Sequence, residues 1–496
     1  MRRGLTFGRL VAWCTAATVS LLAAGCGGGS ARGSGAGASA GATVTVDASQ
    51  QYQRMAGFGV SEGFGQAKAL MSAPASVQNR VLSLLYSPAQ GAGLTILRNE
   101  ISADVPFTIE PRAPSRPGAE PSYLSLATID QDQGQLWFAK RIKADYGATV
   151  FADAWSAPGF MKTNHAAIRG GTLCGVPGTD CKSGDWRRAY ADYLVQYARD
   201  YADAGVPLAY VGPENESNPP PAGARAGGGE PAQDSMIMSG AQTANFMGIL
   251  GQALAGSGLS TRAECCASIS WQWAQQYAAA LAADAQANAA TALFTSHGYF
   301  YAPNSPLKGW NKPVWETEWA PFDTGPFDAA WDDGSQLSGF TWAQNIDTGL
   351  TRANLGGFLY LWGANTSTTT VTGPNTGLVE VSHNTVATSG RLWAFASYSR
   401  FIRPGAVRLG TTTHAAGLEV SAFRNLNGSA AVIVLNSAHR PRAATFSLRG
   451  LTAAQVTPYL TDTTHHVSAQ TPLTVRNGAF TATVPPRSLV SYDIRS

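Results

Sequence analysis

Between about residue 55 and residue 363, short apolar runs alternate with longer amphipathic stretches. The apolar runs have the length and the flanking turns of β-strands, and they lie at residues 55–59, 93–101, 149–155, 208–212, 267–271, 291–299, 312–319 and 356–362. Eight strands with intervening helices predict a (β/α)8 barrel, an architecture that typically needs about 250 residues. A doubly wound sheet is the alternative, but it would need a phosphate-binding loop that we do not find.

After residue 390 the pattern changes to alternating segments separated by turns, such as GLEVSAFRN, GSAAVIVLNS and AATFSLRG, and no helical period remains. We therefore predict a catalytic barrel over residues 55–390 and an all-β sandwich side domain over residues 391–496. The alternating stretch at residues 43–54, which begins TVTVDAS, is expected to join the side domain.

The first 25 residues are typical of a signal peptide. Arg2, Arg3 and Arg9 precede an apolar segment that ends at Ala24, and Cys26 follows in a setting that resembles a bacterial lipobox. Residues 26–42 are rich in Gly, Ser and Ala, as expected for a flexible tether. We expect an exported cell-surface lipoprotein whose only membrane contact is a lipid on Cys26. Ordinary signal cleavage, which would give a secreted protein, is the alternative.

Cys14 and Cys26 belong to the signal segment, and the other four cysteines form two pairs in the sequence. Cys174 and Cys181 bracket the short loop GVPGTD, which predicts a disulfide in an exported protein. Cys265 and Cys266 are adjacent, and either a vicinal bridge or two buried thiols would fit them. No Cys/His spacing indicates zinc, and the sequence predicts neither a metal nor a cofactor.

The charge balance gives no sign of a charged partner. Lys and Arg number 35 against 32 Asp and Glu, and charged residues make up only 14% of the chain, compared with about 25% in average proteins. We therefore expect no binding to nucleic acid, and we expect a monomer. The 13 Trp, 16 Tyr and 19 Phe fill a large core and also suit a surface on which neutral ligands stack.

Residues 59–63, GVSEG, match the G-x-S-x-G pattern of a serine hydrolase. A nucleophile at Ser61 would follow the first barrel strand, and no downstream His has a recognisable setting for a triad. We interpret this glycine-rich stretch as a loop at the mouth of the barrel, where glycines let the backbone pass close to a ligand.

Two of the predicted strands end in acidic residues. The fourth run leads into VGPENESN, with Glu214, Asn215 and Glu216, and the seventh is KPVWETEW, with Glu316 and Glu318. Glycoside hydrolysis uses two carboxyl groups that flank one bond, one protonated and one ionised. Strand ends on opposite sides of a barrel mouth can supply such a pair.

With these residues in place, the chain resembles glycoside hydrolase family 30, a family of clan A retaining β-glycanases, and especially its xylanase-type members. The resemblance covers nearly the whole mature chain and rests on the stretches GFGVSEGFG, GAGLTILRNEIS, AWSAPGFMKTN, LCGVPGTDCKSGDWRRAYADYLVQY and RFIRPGAVRL. It implies a retaining mechanism on a (β/α)8 barrel with an attached β-sandwich.

The resemblance also implies roles for individual residues. It assigns the acid/base to Glu216 and the nucleophile to Glu318, with Glu214 as the alternative acid/base because Ser217 stands where the family usually has Pro. The implied substrate-binding residues are Arg98, Trp155, Asn215, Tyr299 and Trp362. His297 is left open between a role in the site and a place in the core.

The expected substrate is a β-linked polysaccharide, most of all β-1,4-xylan, with β-1,6-glucan, β-1,6-galactan and glucosylceramide as alternatives. A non-catalytic glycan-binding lipoprotein is the alternative from another class. Gln66 and Lys68 give no support to a requirement for glucuronic acid branches. The insertion Pro219–Glu230 either reshapes the cleft or is a solvated loop.

Overall fold

The computed structural model describes residues 42–218, 233–323, 325–366 and 373–495. The predicted signal segment, Cys26 and the Pro219–Glu230 insertion lie outside these ranges. Within them, no helix has both the length and the apolar character that crossing a bilayer would require.

Strand β1 (Ala42–Arg54) is followed by a closed barrel of parallel strands. The barrel strands are β2 (Gly57–Ser61), β3 (Ile96–Ile101), β4 (Thr149–Ala154), β5 (Tyr210–Gly212), β6 (Arg262–Ser268), β7 (Thr291–His297), β8 (Val314–Glu318) and β9 (Gly357–Thr366). Each strand pairs with the next along the chain, and β9 pairs with both β8 and β2, which closes the ring. The predicted (β/α)8 barrel is confirmed.

The fifth barrel strand was predicted at the wrong place. It lies at Arg262–Ser268 rather than at residues 267–271, because its sequence RAECCAS is not an apolar run. Glu264 is fully buried in it, whereas Trp271, which we had included, begins the next helix.

Helices pack around the outside of the barrel. They are α1 (Gln66–Met71), α2 (Ala75–Tyr86), α3 (Gln135–Tyr146), α4 (Arg187–Asp203), α5 (Gly240–Gly256), α6 (Trp271–Ala283), α7 (Ala285–Ala290), α8 (Gly339–Arg352) and α9 (Gly390–Ser399). The tyrosines at helical spacing on α4, from Tyr190 to Tyr201, are all buried in the main core. As expected from the sequence, this stripe serves packing.

After β9 the chain adds β10 (Gly377–Ser382) beside β9 and a hairpin partner, β11 (Thr385–Thr388). Helix α9 then corrects the prediction that no helix follows residue 390. Its buried face carries Leu392, Phe395 and Tyr398, and Ser389 caps its first turn by accepting the N–H of Leu392.

The rest of the chain forms an all-β domain, as predicted. Its strands are β12 (Val407–Thr413), β13 (Leu418–Arg424), β14 (Ala430–Asn436), β15 (Arg442–Arg449), β16 (Gln455–Thr461), β17 (Ser468–Ala469), β18 (Leu473–Thr474), β19 (Ala479–Val484) and β20 (Ser488–Arg495). Strand β1 lies between β12, to which it is antiparallel, and β15, to which it is parallel. Helix α9 joins the two parts, because Tyr398 donates to Ala343 of α8 while Ser491 of β20 donates to Ser397.

The barrel interior is layered. Its lower layer is apolar and consists of Ile96, Phe151, Leu293, Trp315 and Leu359. Because alternate residues of a strand face the same side, Arg98 and Glu100 follow Ile96 toward the carboxyl end of β3, and Asp153 follows Phe151 on β4. The carboxyl-end mouth of the barrel is therefore polar.

Candidate active site

Two glutamates meet at the carboxyl end of the barrel. Glu318 is the last residue of β8, and Glu216 lies in the loop after β5 with a positive φ of 49°. One oxygen of each carboxyl group and one ring nitrogen of His297 all lie within 4.8 Å of one another. The side chains of Glu216 and Glu318 remain 13% and 9% exposed, so both reach solvent at the mouth.

Glu318 is held by two donors. The Nη1 of Arg98 donates to Oε2 of Glu318, and the Tyr299 hydroxyl donates to Oε1 at 3.1 Å. Arg98 also donates from Nη2 to Oδ1 of Asn215 at 2.6 Å, which fixes the residue before Glu216. Burial raises the pKa of the Glu318 carboxyl, and the Arg98 guanidinium opposes that rise by stabilising the ionised form.

The protonated form is favoured more strongly at Glu216 than at Glu318. Burial, together with the nearby charge of Glu318, raises the pKa of the Glu216 carboxyl well above its usual range. Burial and Arg98 lower the pKa of His297 well below its usual value, so its ring is neutral at neutral pH. His297 Nδ1 lies 2.8 Å from Glu216 Oε1, and we assign it as the acceptor of the Glu216 proton. In that tautomer the Nε2 atom carries a hydrogen, and it lies 4.0 Å from Glu318 Oε2.

A second pair of acidic residues, Asp153 and Glu264, lies beside Arg98. Asp153 accepts a hydrogen bond from Arg98 Nε, and Glu264 accepts one from the Thr295 hydroxyl. The other oxygens of the two carboxyl groups face each other: a Cβ added to Gly212 would stand 2.3 Å from Asp153 Oδ1 and 1.6 Å from Glu264 Oε1. Burial and Asp153 raise the pKa of Glu264 well above its usual range. Neither oxygen has another hydrogen-bond partner among the described residues, and we infer that Glu264 carries a proton that it donates to Asp153.

Comparison with known proteins identifies the family. A family model described as O-Glycosyl hydrolase family 30 matches residues 41–309, and one described as the family 30 beta sandwich domain matches residues 405–492. The chain belongs to glycoside hydrolase family 30. It is an O-glycosyl hydrolase, and the resemblance drawn from the sequence is confirmed.

Relatives of this family 30 hydrolase differ in their substrates. The catalytic domain of GH30 xylanase C from Talaromyces cellulolyticus is 41% identical, with a TM-score of 0.84 over 92% of this chain and 100% of that one. An endo-β-1,6-glucanase of solved structure is 20% identical, with a TM-score of 0.70 over 92% of this chain and 94% of that one, which shows a shared fold. Putative glucosylceramidase 1 of Caenorhabditis elegans is 25% identical over 174 residues, and the match spans only 32% of that protein.

Aromatic rings line the family 30 site next to Arg98. The Arg98 guanidinium lies over the Trp155 ring at 4.6 Å, and the Phe64 ring contacts both Trp155 and Trp362, with centroids 5.5 and 6.2 Å away. Phe64 is held by its backbone N–H, which donates to Glu100 Oε2 at 2.9 Å. Burial is the main cause that raises the pKa of Glu100, to about 8. The sequence predicted Trp155 and Trp362 here but missed Phe64 and Glu100.

Other acidic and nucleophilic residues named from the sequence are placed elsewhere. Glu214 faces helix α5 and accepts hydrogen bonds from the Thr243 hydroxyl at 3.0 and 3.1 Å. Ser61, at the end of β2, is only 2% exposed. Its Oγ accepts the Gly63 N–H. Gln66 is buried and accepts the backbone N–H of Thr366.

Both cysteine pairs form disulfides. The predicted Cys174–Cys181 bridge is confirmed, and Cys265 and Cys266 form a vicinal bridge rather than free thiols. The vicinal bridge lies next to the site, because Ala267, the next residue, accepts the N–H of Glu216 through its carbonyl at 2.9 Å.

Proposed function

We propose that the chain is a retaining hydrolase of β-linked polysaccharide and that β-1,4-xylan is its main substrate. The observation that carries the retaining mechanism is the close approach of Glu216 and Glu318, whose oxygens lie within 4.8 Å. Retaining enzymes place their two carboxyl groups about 5–5.5 Å apart, whereas inverting enzymes leave about 6.5–9.5 Å for a water molecule.

In the first step, Glu318 attacks the anomeric carbon while Glu216 gives its proton to the departing glycosidic oxygen. The carbon–oxygen bond breaks, and a glycosyl ester on Glu318 forms. The two environments support these roles: Arg98 and Tyr299 stabilise the ionised form of Glu318, whereas burial and the charge of Glu318 keep Glu216 protonated.

In the second step, the ionised Glu216 takes a proton from water, and the resulting hydroxide equivalent displaces Glu318 from the anomeric carbon. His297 supports the first step as a positioning residue, because its neutral ring accepts the Glu216 proton at 2.8 Å and fixes the carboxyl group over the cleft. Glu214 is disfavoured as the acid/base, since its carboxyl group is bonded to Thr243 on the outer side of the barrel.

The choice of xylan rests on the 41% identity to the Talaromyces cellulolyticus xylanase over 92% of this chain. Reducing-end release should be measured on β-1,4-xylan, β-1,6-glucan, β-1,6-galactan and glucosylceramide, with Glu318→Gln as the inactive control. We expect release from xylan by the wild-type chain and none by the variant. Release from β-1,6-glucan alone would overturn the substrate, and release from none of the four would overturn the function.

We further propose that the protein is exported and anchored through a lipid on Cys26, as residues 1–42 suggest. Radiolabelled palmitate should enter the wild-type chain and not the Cys26→Ser variant when both are expressed in a bacterial host. Equal labelling of both chains, or labelling of neither, would contradict the anchor.

A further inference from the structure

The loops that follow strands β7 and β8 carry three exposed aromatic residues near the catalytic site. Phe300 is 72% exposed, Tyr301 60% and Phe322 57%, and we call these three residues the aromatic platform. Single exposed apolar side chains are common on protein surfaces, but a group of them in one place marks a binding surface.

The platform is continuous with the catalytic carboxylates through Tyr299. The Tyr299 hydroxyl donates to Glu318 Oε1 at 3.1 Å, and the Phe322 ring stacks on the Tyr299 ring with centroids 5.2 Å apart and planes 29° from parallel. Phe300 and Tyr301 follow Tyr299 directly in the chain. The Phe322 ring is therefore separated from the Glu318 carboxyl group by the Tyr299 ring alone.

The backbone holds Phe300 outward at a cost. Tyr301 donates its N–H to the Tyr299 carbonyl at 2.7 Å, and Phe300, between them, has a φ of 63°. This is a γ-turn with a positive central φ, a rare and strained arrangement that is especially unfavourable for a bulky side chain. The Tyr301 carbonyl accepts the N–H of Trp271, which ties the turn to helix α6. Strain that persists beside a catalytic site points to a function for the strained residue.

We propose that the aromatic platform binds neutral sugar units of the polysaccharide outside the cleavage pocket, by stacking the C–H faces of their rings on Phe300, Tyr301 and Phe322. The rings carry no charge, so they select the apolar face of an uncharged pyranose over an acidic group. This inference rests on the proposed function, and it adds that the protein recognises several consecutive units of a polymer rather than a single terminal sugar.

The test measures binding separately from cleavage. Affinity electrophoresis of the full chain carrying Glu318→Gln is run in gels containing soluble β-1,4-xylan, β-1,6-glucan or β-1,6-galactan. Adding Phe300→Gly or Phe322→Ala should weaken binding to the retarding polymer about tenfold, the loss expected when one buried apolar ring face is removed. Tyr52→Ala, which removes an aromatic side chain 48% exposed on strand β1, is the matched control and should leave binding unchanged.

Stability separates recognition from a structural role. Phe300→Gly relieves the positive φ, so its melting temperature should equal or exceed that of the parent while its glycan affinity falls. Unchanged affinity in both platform variants, binding of the parent to none of the three polymers, or a change only in the oligomeric state on size-exclusion chromatography would overturn the platform. Weakened binding by the variants, with no reducing ends released by the wild-type chain, would support the platform and reject the hydrolase function.

Discussion

Replacing Glu264 by Gln tests whether one proton holds Asp153 and Glu264 together. Glu264 is fully buried. Its Oε1 and Asp153 Oδ1 both lie close to the position that a Cβ on Gly212 would occupy. Gln supplies an N–H for Asp153 and an oxygen for the Thr295 hydroxyl, so it reproduces the contacts of the protonated acid without a titrating group. We expect the variant to fold and to differ from the wild type mainly in how its stability depends on pH.

The direction in which the stability changes with pH follows from the raised pKa of Glu264 in the folded state. Above about pH 4.5 the unfolded chain loses this proton while the folded chain keeps it, so the free energy of unfolding of the wild type falls as pH rises. The loss approaches about 1.4 kcal/mol per pH unit until the pH passes the folded-state pKa. The other buried acidic residues are the same in both proteins. The difference between their unfolding free energies, plotted against pH, therefore reports on Glu264 alone.

Urea denaturation of both proteins between pH 4 and pH 8 measures this difference. The two should agree within about 0.5 kcal/mol at pH 4, and Glu264→Gln should become progressively more stable toward pH 8. Glu120→Gln, at an exposed glutamate, is the matched control and should give a flat difference curve. Parallel curves, or a Glu264→Gln variant that is less stable at every pH, would refute the shared proton.

Further predictions concern the catalytic glutamates, Gly212 and the Cys174–Cys181 disulfide. Glu318→Gln should lower turnover by on the order of 10⁴-fold or more, with an unchanged circular dichroism spectrum. Glu216→Gln should lose far more activity on polysaccharide than on an aryl glycoside, because the leaving group of the aryl glycoside needs no proton. Gly212→Ala should destabilise the chain by about 1–3 kcal/mol or more in urea denaturation, because its Cβ would stand 1.6 and 2.3 Å from buried carboxyl oxygens. The Cys174→Ser/Cys181→Ser variant should lose about 2.5 kcal/mol of unfolding free energy, the cost of freeing a short loop. Wild-type stability in the disulfide variant, unchanged urea midpoints for Gly212→Ala, or full activity in either glutamate variant would each contradict the corresponding prediction.

The sequence allowed the barrel and the two glutamates to be predicted for a simple physical reason. Buried parallel strands are short apolar runs, and the carboxyl ends of such strands meet at one mouth. Glu216 and Glu318 could therefore be placed together from their positions after two runs. Strand β6 could not be placed in this way. Its sequence RAECCAS is not an apolar run, because this part of the barrel interior contains hydrogen-bonded acidic side chains.

Residues whose roles depend on contacts between distant segments were missed. Asp153 and Glu264 belong to strands far apart in sequence, and nothing local shows that their carboxyl groups share a proton. Phe64 looked like part of a glycine-rich loop, although it packs against Trp155 and Trp362. Helix α9 did leave a signal, because Ser389 can cap a helix and Leu392, Phe395 and Tyr398 recur at helical spacing.

The account depends most on Glu216 and Glu318 acting as the two carboxyl groups of a double displacement. Proton NMR of the first product released from the polysaccharide that the wild-type chain cleaves tests this directly, because it reads the configuration of the new anomeric carbon before mutarotation. Two successive inversions predict that the β anomer appears first. Initial appearance of the α anomer would mean a single displacement by water, and it would contradict the roles inferred from the 4.8 Å approach.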